Sequence, residues 1–185
     1  PLSALRWNLE TLLDEDIGPL NEAQRAFVQV CYDGAGEVVQ RVSDLLTAMD
    51  IEEGRIQLSL EPVNMENLCN TVVLENQRRA RGKQHCFDFE RSPEPLPLVL
   101  ADAVKIREVM SKMIGDAIDY TPAEGCVTVK VKKKGNFIRF EVCDTGIGVP
   151  EHEQTRIFER FYRASNAHTM KQDASGISLS IAKFY

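Results

Sequence analysis

The sequence predicts an α+β chain in two parts, an N-terminal antiparallel helical hairpin followed by an α/β sandwich. Apolar residues recur in steps of three and four through the N-terminal segment, which indicates helices. Beyond Pro62, helical patterns alternate with short strand patterns, and the last of these patterns predicts a β-hairpin. The heptad spacing stops near Arg55, so we place a domain boundary between residues 1–55 and 56–185.

Composition favours an ordinary globular protein. Of the 185 residues, 43% are hydrophobic and 27% are charged. The net charge of −6 argues against nucleic-acid binding, because the one dense basic run, residues 130–134, lies in a strand pattern typical of a solvated face. No apolar run reaches the length of about 18 residues that a membrane span needs, so we expect a cytoplasmic chain with any membrane anchor upstream.

The first helix is predicted from a stripe of leucines, at Leu2, Leu5, Leu9 and Leu12. A break at residues 17–19 ends it, and Asn21 is the predicted N-cap of a second helix. That helix carries a coiled-coil seam, at Val28, Cys31, Ala35, Val38, Val42, Leu45 and Met49. Two helices cannot bury both stripes alone, so we expect a second copy to complete a four-helix bundle. The alternative is that the hairpin packs on the downstream domain.

The elements of the second part follow from apolar spacing and capping residues. Alternation at Ile56, Leu58 and Leu60 predicts extended chain. Asn64 is the predicted cap of a helix that ends at Gly82. We expect short strands at residues 85–90 and 96–100, then a helix from Asp102 to about Asp119. Its inward positions are predicted to be Val109, Met113, Ile114 and Ala117.

The β-hairpin pattern runs from Val127 to Val142 and turns at Gly135. Its second strand leads directly into DTGIGVP, residues 144–150. Asp144 thus stands at a strand end, and Gly146 and Gly148 let the backbone approach a flat ligand. Alone, this pattern is a weak signal, because Asp and Gly are common turn residues.

Other segments make the signal specific. The chain resembles the ATP-binding domain of histidine kinases and, more distantly, the gyrase and Hsp90 type of ATPases. IREVMSKMIGDAIDYTP (106–122) resembles the N box, VCDTGIGVP (142–150) the G1 box, IFERFYRASNA (157–167) the F box and DASGISLSIAK (173–183) the G2 box. Residues 1–14 and 44–65 are similar to the two ends of the family's helical hairpin.

The resemblance implies roles for the residues that match the boxes. Asp144 would accept the adenine amino proton, Gly146 and Gly148 would admit the base, and Tyr120 would pack near it. Gly176 would lie where the phosphates meet a helix N-terminus. The aromatic side chains of the F box would anchor a mobile lid of about residues 163–175, namely Phe158, Phe161 and Tyr162. The alternative is that they are plain aromatic core, and both interpretations can hold together.

The N box departs from the family, which offers two asparagines and a basic residue. Here Lys112, Asp116 and Asp119 share one helix face. Asp116 is a suitable ligand for Mg²⁺, while Lys112 would exclude that metal or replace it as counter-charge to phosphate. An ordinary salt bridge between Lys112 and Asp116 is the alternative. Asp119 would repel phosphate.

The G2 box departs as well, because Ala174 and Ser178 replace glycines around Gly176. A left-handed backbone at either position would cost about 1–2 kcal/mol. This is enough to loosen a phosphate loop without unfolding the domain.

The implied function is two-component signalling by a homodimer that binds ATP and Mg²⁺. The γ-phosphoryl group would pass to a histidine and then to an aspartate of a response-regulator receiver domain. Glu108, one turn before Lys112, is a candidate to polarise that histidine. None of the chain's histidines lies on the first helix, so the acceptor is expected a few residues before Pro1, and the family's last strands would follow Tyr185.

Two alternatives stay open. One is a degenerate kinase that acts as a dimeric scaffold and binds nucleotide weakly or not at all. The other, a gyrase-like or mismatch-repair ATPase, is disfavoured by the heptad hairpin and by FERFYR, residues 158–163.

Overall fold

A computed structural model of the chain describes residues 1–171 and 174–185. It contains two compact units, Pro1–Arg55 and Ile56–Tyr185. The predicted residues Gln172 of the lid and Asp173 of the G2 box lie outside the described residues. No helix in the described ranges combines the length and hydropathy needed to cross a membrane.

The N-terminal unit is a helical hairpin, as predicted, built from α1 (Leu2–Leu13) and α2 (Glu22–Glu52). Asn21 begins α2 with a capping box: its side chain accepts the backbone N–H of Gln24 at 2.8 Å, and the Gln24 side chain accepts the N–H of Asn21 at 3.0 Å. Side-chain contacts join the two helices, including a hydrogen bond of 3.1 Å from Arg6 to the hydroxyl of Tyr32.

Most of the α2 seam stays accessible within this unit. Only two of its helix positions are buried, Ala35 and Ala48. The larger seam residues are between 43% and 45% exposed, namely Val38, Val42, Leu45 and Met49. The hairpin alone therefore does not bury the stripe that its sequence encodes.

The second unit mixes helices and strands in the order β1 (Glu61–Val63), α3 (Met65–Gly82), β2 (Cys86–Glu90), β3 (Val99–Ala101), α4 (Ala103–Tyr120), β4 (Cys126–Lys134), β5 (Phe137–Asp144) and α5 (Ser178–Phe184). Strands β1 and β3 pair antiparallel. The larger sheet has the order β2-β4-β5, with β2 parallel and β5 antiparallel to β4. The α+β fold class is confirmed.

The core of this unit lies between α3, α4 and the larger sheet. Its fully buried side chains come from all three, and include Cys69, Val72, Met110, Ile114, Ile118, Val127, Val129 and Val131. The inward stripe of α4 differs in part from the prediction. Met110 and Ile118 are buried, whereas Val109 and Met113 are only half-buried. Met113 faces a cavity rather than the core.

The strand predictions before α4 were too long. β3 begins at Val99 rather than at residue 96, because Pro97 lacks the N–H that a ladder needs. The segment through Leu58 and Leu60, predicted as extended chain, pairs with no strand, and those side chains are 48% and 55% exposed. The first strand begins at Glu61.

Candidate functional site

A cavity of about 300 Å³ opens between α4, the end of β5 and the segment that leads into α5. This volume is within the range of small-ligand sites. Most of the predicted site residues line it, namely Lys112, Asp116, Tyr120, Asp144, Gly148, Tyr162 and Gly176. Gly146 lies just behind this lining, against Tyr120.

One end of the cavity is built where the DTGIG loop meets the end of α4. The Oδ1 atom of Asp144 accepts the N–H of Gly146 at 2.9 Å, which fixes the orientation of the carboxylate. The N–H of Ile147 donates to the carbonyl of Tyr120 at 3.1 Å. A Cβ at position 146 would lie 2.4 Å from that carbonyl oxygen, so the junction requires glycine for its close approach.

Gly176 also lines the cavity, one residue before the N-cap of α5. Its φ is +70°, and a Cβ there would lie 2.7 Å from the carbonyl oxygen of Tyr162. Its own carbonyl accepts the N–H of Phe161 at 3.0 Å. Ser178 begins α5 and has no positive φ, so the conformational cost considered for that position does not arise.

The F-box aromatics divide into one cavity residue and two exposed rings. Tyr162 is half-buried beneath the guanidinium of Arg156, whose carbon lies 4.2 Å from the ring centroid. Phe158 and Phe161 are 40% and 66% exposed, which excludes the alternative of a buried aromatic core at these positions. Phe161 contacts the site through its backbone N–H, which donates to the carbonyl of Gly176.

Asn166 joins the lid segment to the DTGIG loop and was missed in the sequence. Its side-chain amide donates to the carbonyls of Gly148 at 2.9 Å and Ile147 at 3.2 Å. Beside it, buried Glu153 accepts the N–H of Ser165 at 2.8 Å, and this bond lowers the pKa of the Glu153 carboxyl. Neither residue stands in a spacing pattern that would have marked it.

Lys112 and Asp116 form the expected pair on α4, with 3.7 Å between Nζ and Oδ1. The Asp116 side chain is 25% exposed, so the pair is not an ordinary surface salt bridge. Burial raises the pKa of Asp116, although the neighbouring ammonium groups of Lys112 and Lys171 act in the opposite direction.

Asp119 lies one turn further along α4 and is 14% exposed. It accepts a bond of 2.7 Å from Nζ of Lys171, and the guanidinium of Arg79 contacts its other oxygen. Burial acts to raise the pKa of Asp119, but Lys171 and Arg79 outweigh it and hold that pKa below its ordinary value. Both cationic partners were missed, because they come from the lid segment and from α3.

The acidic residues of the site do not fit Mg²⁺ as a protein-held ion. The two carboxylates, Asp116 and Asp119, face three cationic groups, from Lys112, Lys171 and Arg79. A divalent cation prefers oxygen ligands that such groups do not already neutralise.

Glu108 is not brought into the cavity. Its side chain is 51% exposed and pairs with Lys105 at 3.2 Å on the same helix. It lies on the outer surface of α4.

Comparison with known proteins matches part of the second unit of the chain to a family of ATPases. Residues 101–184 match the family model for histidine kinase-, DNA gyrase B- and HSP90-like ATPases. The circadian input-output histidine kinase CikA of Synechococcus elongatus is 28% identical over 185 residues, which cover 99% of this chain and 24% of that protein. Full-length ShkA, crystallised in complex with AMPPNP, is 27% identical with a TM-score of 0.73 over 99% of this chain and 39% of that chain.

A further structure has the same fold. The histidine kinase ThkA in complex with the response regulator protein TrrA is 19% identical with a TM-score of 0.59, over 88% of this chain and 49% of that chain. This likeness concerns the fold alone.

The residues that line the cavity all lie within the segment that matches the histidine kinase-, DNA gyrase B- and HSP90-like ATPases. Histidine kinases match that segment together with the helical hairpin before it. Over 99% of its length the chain is therefore similar to the catalytic cores of histidine kinases. It spans about a quarter of the length of CikA, 24%.

Proposed function

We propose that the cavity binds ATP and that the chain is the core of a kinase that phosphorylates a histidine upstream of Pro1. The observation that carries the proposal is the shared cavity, which is lined by the carboxylate of Asp144 at the end of β5 and by the ammonium of Lys112 two turns before Tyr120 on α4. Such an arrangement separates a base from its phosphates.

Adenine recognition is assigned to the Asp144 end. A carboxylate whose orientation is fixed by the N–H of Gly146 accepts the amino proton of adenine through a charge-assisted bond. Guanine carries an oxygen at that position, which the carboxylate repels. Tyr120 and the apolar lining of the cavity pack against the base.

Phosphate binding is assigned to the other end, where Lys112 and Gly176 line the cavity. Gly176 brings the backbone close to the ligand, and Tyr162 holds the start of the lid segment. The γ-phosphoryl group then passes to the acceptor histidine, and charge neutralisation rather than covalent chemistry promotes the transfer. Glu108, on the outer surface of α4, is the candidate to polarise that histidine.

The hairpin is proposed to form a homodimer through the exposed α2 seam, and the phosphoryl group is proposed to pass to a response-regulator receiver domain. The seam residues, at 43% to 45% exposure, support the first proposal. The ThkA–TrrA complex supports the second by analogy. We further propose that the protein works in the cytoplasm.

A second candidate is a scaffold without kinase activity. Asp119 favours it, because a carboxylate replaces the basic residue that would contact phosphate. The fixed DTGIG loop favours nucleotide binding in either case.

Thermal unfolding with and without ATP tests the binding proposal. A ligand at a hundred times its dissociation constant stabilises the fold by about 2.7 kcal/mol, which raises the melting midpoint by several degrees. Asp144→Asn is expected to abolish the rise, whereas Asp88→Asn on β2 retains it. Equal responses of both variants would reject the assignment of the base site.

Transfer of the γ-phosphoryl group separates the kinase from the scaffold. A chain extended upstream through the acceptor histidine is incubated with radiolabelled ATP. If the chain is a kinase, we expect the extended chain to become radiolabelled, and the label on its histidine to be stable in alkali and lost in acid. Binding without any transfer would favour the scaffold.

A further inference from the structure

We infer that the cavity takes its nucleoside triphosphate without a divalent metal ion, with the ammonium groups of Lys112 and Lys171 as the counter-charge to the phosphates. This inference rests on the proposed nucleotide binding. Its physical basis is the cluster of Lys112, Asp116, Asp119, Lys171 and Arg79, called here the α4 charge cluster.

The first step concerns what a metal would encounter. Asp116 is the one carboxylate of the α4 charge cluster that lines the cavity, and the ammonium of Lys112 lies 3.7 Å from its Oδ1. A divalent cation bound to Asp116 would stand next to that ammonium, in a site that is only partly solvated. Like charges at such a separation repel strongly where water is scarce. The cluster therefore disfavours the metal.

The second step concerns what replaces it. Lys112 lines the cavity and is 35% exposed, and its separation from Asp116 exceeds hydrogen-bond length. Its ammonium carries three N–H donors, which suit phosphate oxygens. Lys112 can therefore contact a phosphate without first breaking a hydrogen bond to Asp116.

The third step concerns Lys171. Its backbone is held in place, because the guanidinium of Arg163 donates to the carbonyls of Lys171 and Ala167. Its ammonium contacts Asp119, and its charge also acts on Asp116 at the cavity wall. The lid segment thus supplies the cation that α4 lacks at position 119.

The fourth step explains how Lys171 becomes available to phosphate. Asp119 is 14% exposed, and a carboxylate buried to this degree is costly without a cationic partner. Arg79 contacts the other oxygen of Asp119, so a cationic partner is present there besides Lys171. The exchange of Lys171 from Asp119 to phosphate therefore leaves no unpaired buried charge.

The test measures binding of AMPPNP to the whole chain by calorimetry, once in EDTA and once in excess Mg²⁺. The dissociation constant in EDTA is expected to stay within about threefold of the value in Mg²⁺. Lys112→Met and Lys171→Met are each expected to weaken metal-free binding by about tenfold, since each removes a charge-assisted contact to phosphate. The matched control is Lys132→Met, whose ammonium pairs with Glu141 outside the cavity, and it retains the wild-type affinity.

Asp119→Asn provides a variant that gains affinity. It removes a negative charge beside the phosphates and releases Lys171, so metal-free binding tightens by about threefold or more. A gain in affinity cannot arise from the loss of stability that the same substitution causes, so the two effects are distinguishable.

Binding that requires Mg²⁺ would overturn the inference and leave the proposed nucleotide binding intact, with Asp116 as the metal ligand. Metal-free binding that neither lysine variant weakens would overturn the assignment of Lys112 and Lys171. A chain that binds AMPPNP in neither buffer would instead reject the proposed function, and the inference with it.

Discussion

The ammonium nitrogen of Lys171 lies 2.7 Å from a carboxylate oxygen of Asp119, although the two residues are 52 positions apart in the chain. This contact joins the lid segment to the last turn of α4. Lys83 adds to the same place from α3, because its ammonium donates to the carbonyls of Ile118 at 2.8 Å and Asp119 at 3.0 Å. The lid segment and the C-terminal end of α3 therefore both contact the last turn of α4.

Asp116 and Asp119 are predicted to affect stability in opposite directions. The lowered pKa of Asp119 means that its contribution is present above the pKa of the unfolded chain and is lost as the pH falls through the folded pKa. Asp119→Asn should therefore cost about 1–3 kcal/mol at neutral pH, and less in acid. The raised pKa of Asp116 means that its ionised form opposes folding, so Asp116→Asn should stabilise the fold at neutral pH.

Urea unfolding between about pH 7 and pH 3 measures both effects. For each variant, the difference in the free energy of unfolding from wild type should shrink as the carboxyl group that it replaces becomes protonated in the folded chain. Changes of the same sign in both variants would contradict the opposed roles.

Gly146→Ala is predicted to disturb the base end of the cavity. The new methyl group would lie 2.4 Å from the carbonyl oxygen of Tyr120 and 2.7 Å from Oδ1 of Asp144. Relief of this overlap should cost about 1–3 kcal/mol of stability and displace the Asp144 carboxylate, with loss of nucleotide binding. Gly82→Ala is the control, because no atom lies within 4 Å of its added methyl group. Denaturant unfolding and ATP titration of both variants provide the check.

Ile114→Ala is predicted to be among the most destabilising substitutions of the second unit. Ile114 is 0% exposed and packs in the core formed by α3, α4 and the larger sheet. Truncation should cost about 2–5 kcal/mol, since it removes buried methyl groups and leaves a cavity. Leu74→Ala on α3, where the side chain is 59% exposed, should change stability by no more than about 0.5 kcal/mol. Similar losses in the two variants, measured by urea unfolding, would refute this core.

Leu45→Glu is predicted to dissociate the proposed homodimer. Leu45 is 44% exposed on the α2 seam, and a carboxylate there would be desolvated in a four-helix bundle. Sedimentation should show the wild-type chain as a dimer and the variant as a monomer. Ser43→Glu adds the same charge away from the seam and should remain dimeric. A monomeric wild-type chain at high concentration would reject pairing through this seam.

Sequence patterns predicted correctly those helices and strands whose stabilising contacts are between neighbours in the chain. The capping box at Asn21 and the alternation around Val129 were readable because neighbours in sequence supply the partners. The strand before α4 was predicted too long because apolar content outweighed the missing N–H of Pro97. In α4, the helical spacing of the apolar residues did not by itself show which of them face the core, because Met113 faces the cavity instead.

The candidate site was predictable only as far as its boxes extend. Asp144 and Tyr120 could be named from the resemblance, and they line one cavity. Lys171 and Arg79 could not, because a salt bridge between separate elements leaves no spacing in the sequence. The sequence led us to expect that Asp119 would repel phosphate. In the fold its charge is neutralised by Lys171 and Arg79, partners that only the fold brings near.

The two ends of the cavity differ in how they are attached to the rest of the domain. The end at Gly146 depends on backbone contacts in which a single methyl group has no room. The end at Lys112 depends on long side chains, because Lys112 and Lys171 pair with Asp116 and Asp119 through flexible stems rather than through the main chain. Selection can therefore alter catalytic competence at the second end while the first continues to retain the ligand, so a signalling kinase of this fold can lose turnover long before it loses its response to nucleotide.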